Sequence, residues 1–99
     1  MSGRTDLFDQ AMRAGHSAAW DQQWDRAIAS YRKALDETPD DPAALTSLGL
    51  ALLETNQLPE ALQMYQRAAK LNPNDFVALE KIADLLERLG RLDDSARAF

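Results

Sequence analysis

No cysteine occurs in the 99 residues, and histidine occurs once. The first absence removes a disulfide framework and any thiolate metal site. The second leaves His16 without the sulfur nucleophile or acidic partner that a catalytic or metal-binding group requires, so it reads as a partly exposed groove residue. Basic residues are also short: 11 Lys and Arg stand against 16 Asp and Glu, giving a net charge of −5 and a pI near 4.7. That balance weighs against non-specific binding to nucleic acid or anionic lipid and favours a basic partner. No basic, aromatic-studded face and no glycine-rich phosphate loop occurs. No apolar run approaches the ~18 residues of a membrane span, and Arg4, Asp6 and Asp9 interrupt the N-terminus where an export signal would be apolar. The expectation is a cytoplasmic protein, or a soluble piece of a larger one, that has no cofactor or metal and is not an enzyme.

What is present is repetition. Displaced by thirty-four positions, Gly15, Gln23, Ala27, Tyr31, Ala34, Pro39 and Asp41 fall on Gly49, Gln57, Ala61, Tyr65, Ala68, Pro73 and Asp75. The matched residues are small, aromatic or turn-forming, the types that backbone geometry constrains most. Apolar residues recur at helical intervals, as in Leu45, Leu48, Leu52 and Leu58, Leu62, Tyr65, with no strand-like alternation. Strong breaks lie at Thr38-Pro39-Asp40-Asp41-Pro42 and at Asn72-Pro73-Asn74-Asp75, where proline ends one helix and aspartate caps the next. Capping likewise accounts for the pairs Asp40/Asp41 and Asp93/Asp94. Weaker breaks fall in one column, Gln22, Asn56 and Gly90. The pattern predicts six helices, over about 6–21, 24–37, 42–55, 58–71, 75–89 and 92–99.

Each repeat is then a helical hairpin that must stack on its neighbour to cover its apolar face. Gly15, Gly49 and Ala83 are expected where the two helices of a pair approach closely, with Ala27, Ala61 and Ser95 as the opposing small residues. Tyr31, Tyr65 and Phe99 form an aromatic column filling the space between successive hairpins, and Trp24, Leu58 and Leu92 a further apolar column.

Leu45-x2-Leu48-Gly49-x2-Leu52, Ala61-x3-Tyr65 and Pro73 together resemble the tetratricopeptide repeat. The first copy keeps Gly15, Ala27, Tyr31, Ala34 and Pro39 but has Ala11, Ala14 and Ala18 where the family prefers larger residues; the third keeps Leu79, Ile82, Ala83 and Leu86 and stops at Phe99. The resemblance implies an all-α fold, a right-handed superhelical stack of helix-turn-helix hairpins (an α-solenoid). About three repeats, at 8–41, 42–75 and 76–99, would make one domain over 1–99, with 1–5 disordered. The third repeat is about ten residues short. An uncapped last hairpin exposes its apolar face, so the expectation is either a fragment of a longer array or pairing with another copy through the hairpin around Leu92 and Phe99.

The resemblance further implies a concave face, lined by the first helix of every pair, that binds a peptide or protein segment. Projecting those helices gives Asp9, Met12, His16 and Trp20, then Ala43, Thr46, Leu50 and Glu54, then Val77, Glu80, Lys81, Asp84 and Arg88 as the candidate groove. Its first half is apolar, with Met12, Trp20, Leu50 and Leu53, and its last third carries mostly acids. A segment with an apolar anchor and nearby Lys or Arg suits that surface. The bland alternatives are core burial for Leu50 and Leu53, a solvated face for the acids, and stacking on Trp24 for Trp20. One subgroup of the family grips a chaperone's C-terminal carboxylate with two lysines, two asparagines and an arginine. The corresponding sites here hold Met12, His16, Ser47, Val77 and Lys81, and one lysine beside Glu80 does not reproduce that field, so a chaperone tail is not the expected ligand. Two other roles fit such a chain: self-association, and service as an accessory domain of a larger protein.

Overall fold

The computed structural model describes residues 4–97, with side-chain surroundings for 6–91. Five helices follow one another: α1 (Arg4–Trp20), α2 (Trp24–Glu37), α3 (Pro42–Glu54), α4 (Leu58–Leu71) and α5 (Phe76–Arg97). Of the span 1–5 expected to be disordered, residues 1–3 lie outside the described residues and Arg4 and Thr5 belong to α1. Each helix packs on the next in order, α1 with α2 through α4 with α5, giving an elongated all-α solenoid of 57 × 29 × 19 Å.

The breaks follow from local chemistry. Asp41 caps α3 by accepting from the Ala44 N–H (2.9 Å), with Pro42 in the first turn, and Asp75 caps α5 through the Ala78 N–H (3.1 Å). Inside each hairpin the chain reverses on one left-handed residue, Gln22 (φ 59°) or Asn56 (φ 61°). In the first turn the Gln23 N–H donates to the Ala18 carbonyl (2.8 Å) and the Gln22 N–H to Ala19 (3.0 Å). Gln57 and Asn56 do the same with Leu52 and Leu53 at 2.8 and 3.0 Å. This is the Schellman closure, which satisfies carbonyls that a helix end leaves unpaired.

The third member of that column departs from expectation. Gly90 does not end a helix, and α5 runs through it to Arg97, so of the helix expected at 92–99 the described part, 92–97, is not a separate element, and no third hairpin forms among the described residues. A left-handed turn breaks helical hydrogen bonds and is repaid when the following helix docks. Continuing the helix keeps its bonds. Asp93, and Asp94 with it, therefore stand within a helix rather than at a helix start. The side chains of Leu92, Ser95 and Phe99 lie outside the described residues.

The core is one continuous cluster, with Leu45, Leu48, Leu52 and Leu85 the largest fully buried side chains. Ala27 and Ala61 are fully buried, as expected. What faces the two glycines, however, is an aromatic ring rather than an alanine: a Cβ built on Gly15 or Gly49 collides with Tyr31 or Tyr65. The tyrosine column thus closes each hairpin internally. Pro39 and Pro73 lie exposed in the connections, and the Pro39 carbonyl accepts from Arg67 Nη2 (3.0 Å), tying α4 to the α2–α3 loop.

Candidate peptide groove

The candidate residues lie on α1, α3 and α5, on helices rather than in a loop cluster. Trp20 is 85% exposed at the end of α1, Leu50 42% in α3 and Val77 63% in the first turn of α5. Leu53 is half-buried against the core. Asp9, His16, Ala43, Glu54, Glu80 and Arg88 are exposed, and Thr46, Lys81 and Asp84 half-buried.

Met12 is a correction. It is 8% exposed and belongs to the core cluster. Its long, flexible side chain packs into the core cluster instead of facing a ligand. Trp20 settles differently from its bland alternative, because no ring pairing joins it to Trp24 among the described residues. The aromatic pair found there is His16 with Tyr31, edge-on with centroids 5.4 Å apart.

Polar contacts fix several of these residues. His16 Nδ1 and the Tyr31 hydroxyl share a hydrogen bond of 2.8 Å, linking α1 to α2. Burial pushes the Tyr31 phenol up, partly offset by Ser47 of α3. Ser47 matches a clamp position in the sequence, but its nearness to Tyr31 is not legible there, because it depends on how α3 stacks on the first hairpin. Thr46 spends its hydroxyl on its own helix, donating to the Pro42 and Ala43 carbonyls at 3.1 and 3.2 Å. Asp84 and Arg88 form an ion pair of 3.1 Å one turn apart. No hydrogen bond or ion pair among the described residues joins candidates on different inner helices. Phe76, 79% exposed beside Val77, is a surface residue that the helical projection omits; its signal is an aromatic residue directly after the Asp75 cap, ahead of the helical stripe.

Chemically the surface offers apolar and acidic contacts. No group of three His, Asp or Glu residues able to hold a metal ion is found among the described residues, and no described helix is long and apolar enough to cross a membrane. A surface hollow of about 560 Å³ lies away from the inner rows, at the hairpin bend between Gln22, Gln23, Trp24, Asp25, Arg26 and Thr55.

The tetratricopeptide repeat family model matches residues 12–76 and again 48–99. The chain is 32% identical over 68 residues to tetratricopeptide repeat protein 21B of Xenopus laevis, an overlap covering 69% of this chain and 5% of that protein. It is 38% identical over 52 residues to the peroxisomal targeting signal receptor of Eremothecium gossypii, covering 52% of this chain and 9% of the receptor. The chain thus spans a small part of both relatives. Among solved structures, the C-terminal tetratricopeptide-repeat domain of a Plasmodium falciparum FK506-binding protein superposes with a TM-score of 0.81 at 21% identity, over 92% of this chain and 60% of that one. With the repeat period, the capped hairpins and the glycine–tyrosine contacts agreeing with these matches, the chain belongs to the tetratricopeptide repeat family.

Proposed function

We propose that this chain is a non-catalytic protein-interaction module of the cytoplasm, receiving a peptide or protein segment along its inner face. The family's members serve generally as protein-interaction scaffolds, and the peroxisomal receptor is by name a reader of a targeting signal. The observation that carries the reading is Trp20. A tryptophan left 85% in water at the end of α1, with Leu50 of α3 and Val77 of α5 also exposed, is a residue type and setting that anchors partners. Glu80 and Asp84 on α5 favour a ligand that brings Lys or Arg next to its apolar anchor, the charges setting orientation and on-rate. Phosphate backbones and anionic lipid are poor partners for a chain of net charge −5. A chaperone-tail carboxylate is a poor one too, because of its clamp only Lys81 is present.

Selection from a random peptide display library on the immobilised chain tests this. Selected ligands should share an apolar anchor flanked by Lys or Arg and lose at least about tenfold in affinity on Trp20→Ala and on Leu50→Asp. Ligands indifferent to both substitutions would show that the inner face is not the site.

A further inference from the structure

Repetition separates what the scaffold needs from what the first hairpin adds. Tyr65 lies on Gly49 as Tyr31 lies on Gly15, so a tyrosine closes either hairpin by packing alone. One repeat after His16 stands Leu50, which can offer the Tyr65 hydroxyl no hydrogen bond. The 2.8 Å bond between His16 Nδ1 and the Tyr31 hydroxyl therefore belongs to the first hairpin and is not a requirement of the repeat. That bond also has a direction. The buried Tyr31 ring lies between the Gly15 backbone and the edge-on imidazole, so its hydroxyl has a set position, with His16 and Ser47 as polar neighbours. A phenol donates better than an aliphatic hydroxyl and an imidazole nitrogen accepts better, so the stronger pairing is phenol O–H to Nδ1, with the Ser47 hydroxyl donating to the phenol oxygen. In a neutral ring whose Nδ1 accepts, the proton sits on Nε2. His16 is exposed, and its Nε2 has no hydrogen-bond partner among the described residues. Trp20 lies one turn further along α1, on the same side of the helix.

We infer that His16 is a specificity-determining residue of the ligand site: an Nε2–H donor, oriented by the Tyr31 hydroxyl, that takes an amide carbonyl of the bound segment one turn from the side chain anchored on Trp20. Tyr31 is then a positioning residue that acts through His16. The donor is neutral and the chain carries −5, so it suits a neutral carbonyl better than a carboxylate. The inference rests on the inner-face reading, with Trp20 as anchor, and adds to it one polar contact that the second hairpin, with Leu50 in place of histidine, does not offer.

Because His16 is the sole histidine, nitrogen NMR reads its tautomer without ambiguity. At about pH 8.5, where imidazole is neutral, the free chain should show a protonated Nε2 and a bare Nδ1, and a protonated Nδ1 overturns the inference. Binding is read with the tightest display-selected peptide. His16→Leu, which installs the residue of the second repeat, should keep the helical circular dichroism and lose about three- to tenfold in affinity, the size of one hydrogen bond. Tyr31→Phe should lose less, and nothing further once residue 16 is leucine; additive losses overturn the positioning role. In the peptide, single main-chain thioamides, which accept poorly, and alanine in place of each Asn or Gln locate the acceptor. One such change should cost the same factor on the unmodified chain and nothing on His16→Leu, a thioamide marking a main-chain carbonyl and an alanine a side-chain one. No such change overturns the inference. A peptide weakened by Trp20→Ala but not by His16→Leu overturns this inference alone, whereas one indifferent to Trp20→Ala and Leu50→Asp overturns the inner-face reading beneath it.

Discussion

The ring of Tyr65 lies against the backbone of Gly49, so closely that a Cβ there would stand 2.9 Å from Tyr65 Cε2 and 3.1 Å from Cδ2 and Cζ. The Gly15–Tyr31 contact is tighter, and its ring is also held by His16. Gly15→Ala should therefore destabilise by about 1–3 kcal/mol, despite the roughly 1 kcal/mol that alanine gains in a helix interior. Gly49→Ala should cost less than Gly15→Ala. Urea titration followed by circular dichroism measures both, and equal or reversed losses would contradict the packing described.

Gln22 holds a left-handed conformation that costs a side chain more than it costs glycine. Gln22→Gly should stabilise by about 0.5–1 kcal/mol, raising Tm by several degrees. Asn56→Gly should gain less, because asparagine tolerates this region better. A lower Tm for Gln22→Gly would show that the turn is held differently.

Alkaline stability should depend on the two raised phenols, Tyr31 and Tyr65, and most on Tyr65. Burial, with a contribution from Glu54, pushes the Tyr65 pKa up to about 12 from 10.0. A proton held more tightly in the folded chain stabilises it fully below pH 10, and that contribution disappears as pH rises through about 12. It is worth on the order of 2 kcal/mol. Thermal melts from pH 8 to 12 should show the loss in the unmodified chain, and Tyr65→Phe should keep more of its stability at the upper end. The same decline in both would place the alkaline transition elsewhere.

Arg32 on α2 and Glu60 on α4 meet through two contacts, 2.7 and 3.0 Å, across the stack. Hydrogen bonding to Arg32 holds the Glu60 carboxyl below its ordinary value, so the stabilisation is present above about pH 4.5 and fades as pH falls below it. Both groups are partly in water, so Glu60→Gln should cost less than about 1 kcal/mol at pH 7 and nothing measurable below pH 3. A larger cost, or one independent of pH, would mean that Glu60 acts through packing.

Much of the scaffold is legible in the sequence because the signals are local. Pro42 and the caps Asp41 and Asp75 mark helix boundaries by backbone chemistry alone, and the thirty-four-residue echo aligns Gly15 with Gly49 and Tyr31 with Tyr65. Gly90 misleads because whether a helix turns back is decided by what the next helix docks against, and the column it shares with Gln22 and Asn56 does not carry that information. Met12 misleads for a related reason. Helical projection gives a direction, whereas burial depends on the neighbouring side chains, and Met12 lies in the core cluster. The sequence leaves Trp20 undecided between anchor and stacking partner; in the structure it is exposed, and no ring pairing joins it to Trp24 among the described residues.

The most direct test of an inner-face interaction module is amide NMR of the chain titrated with its tightest display-selected peptide. Binding along the inner face predicts shifts concentrated on α1, α3 and α5, around Trp20, Leu50 and Asp84, with α2 and the outer side of α4 unmoved. Shifts centred on α2 and α4, with Trp20 and Leu50 unchanged, would contradict it.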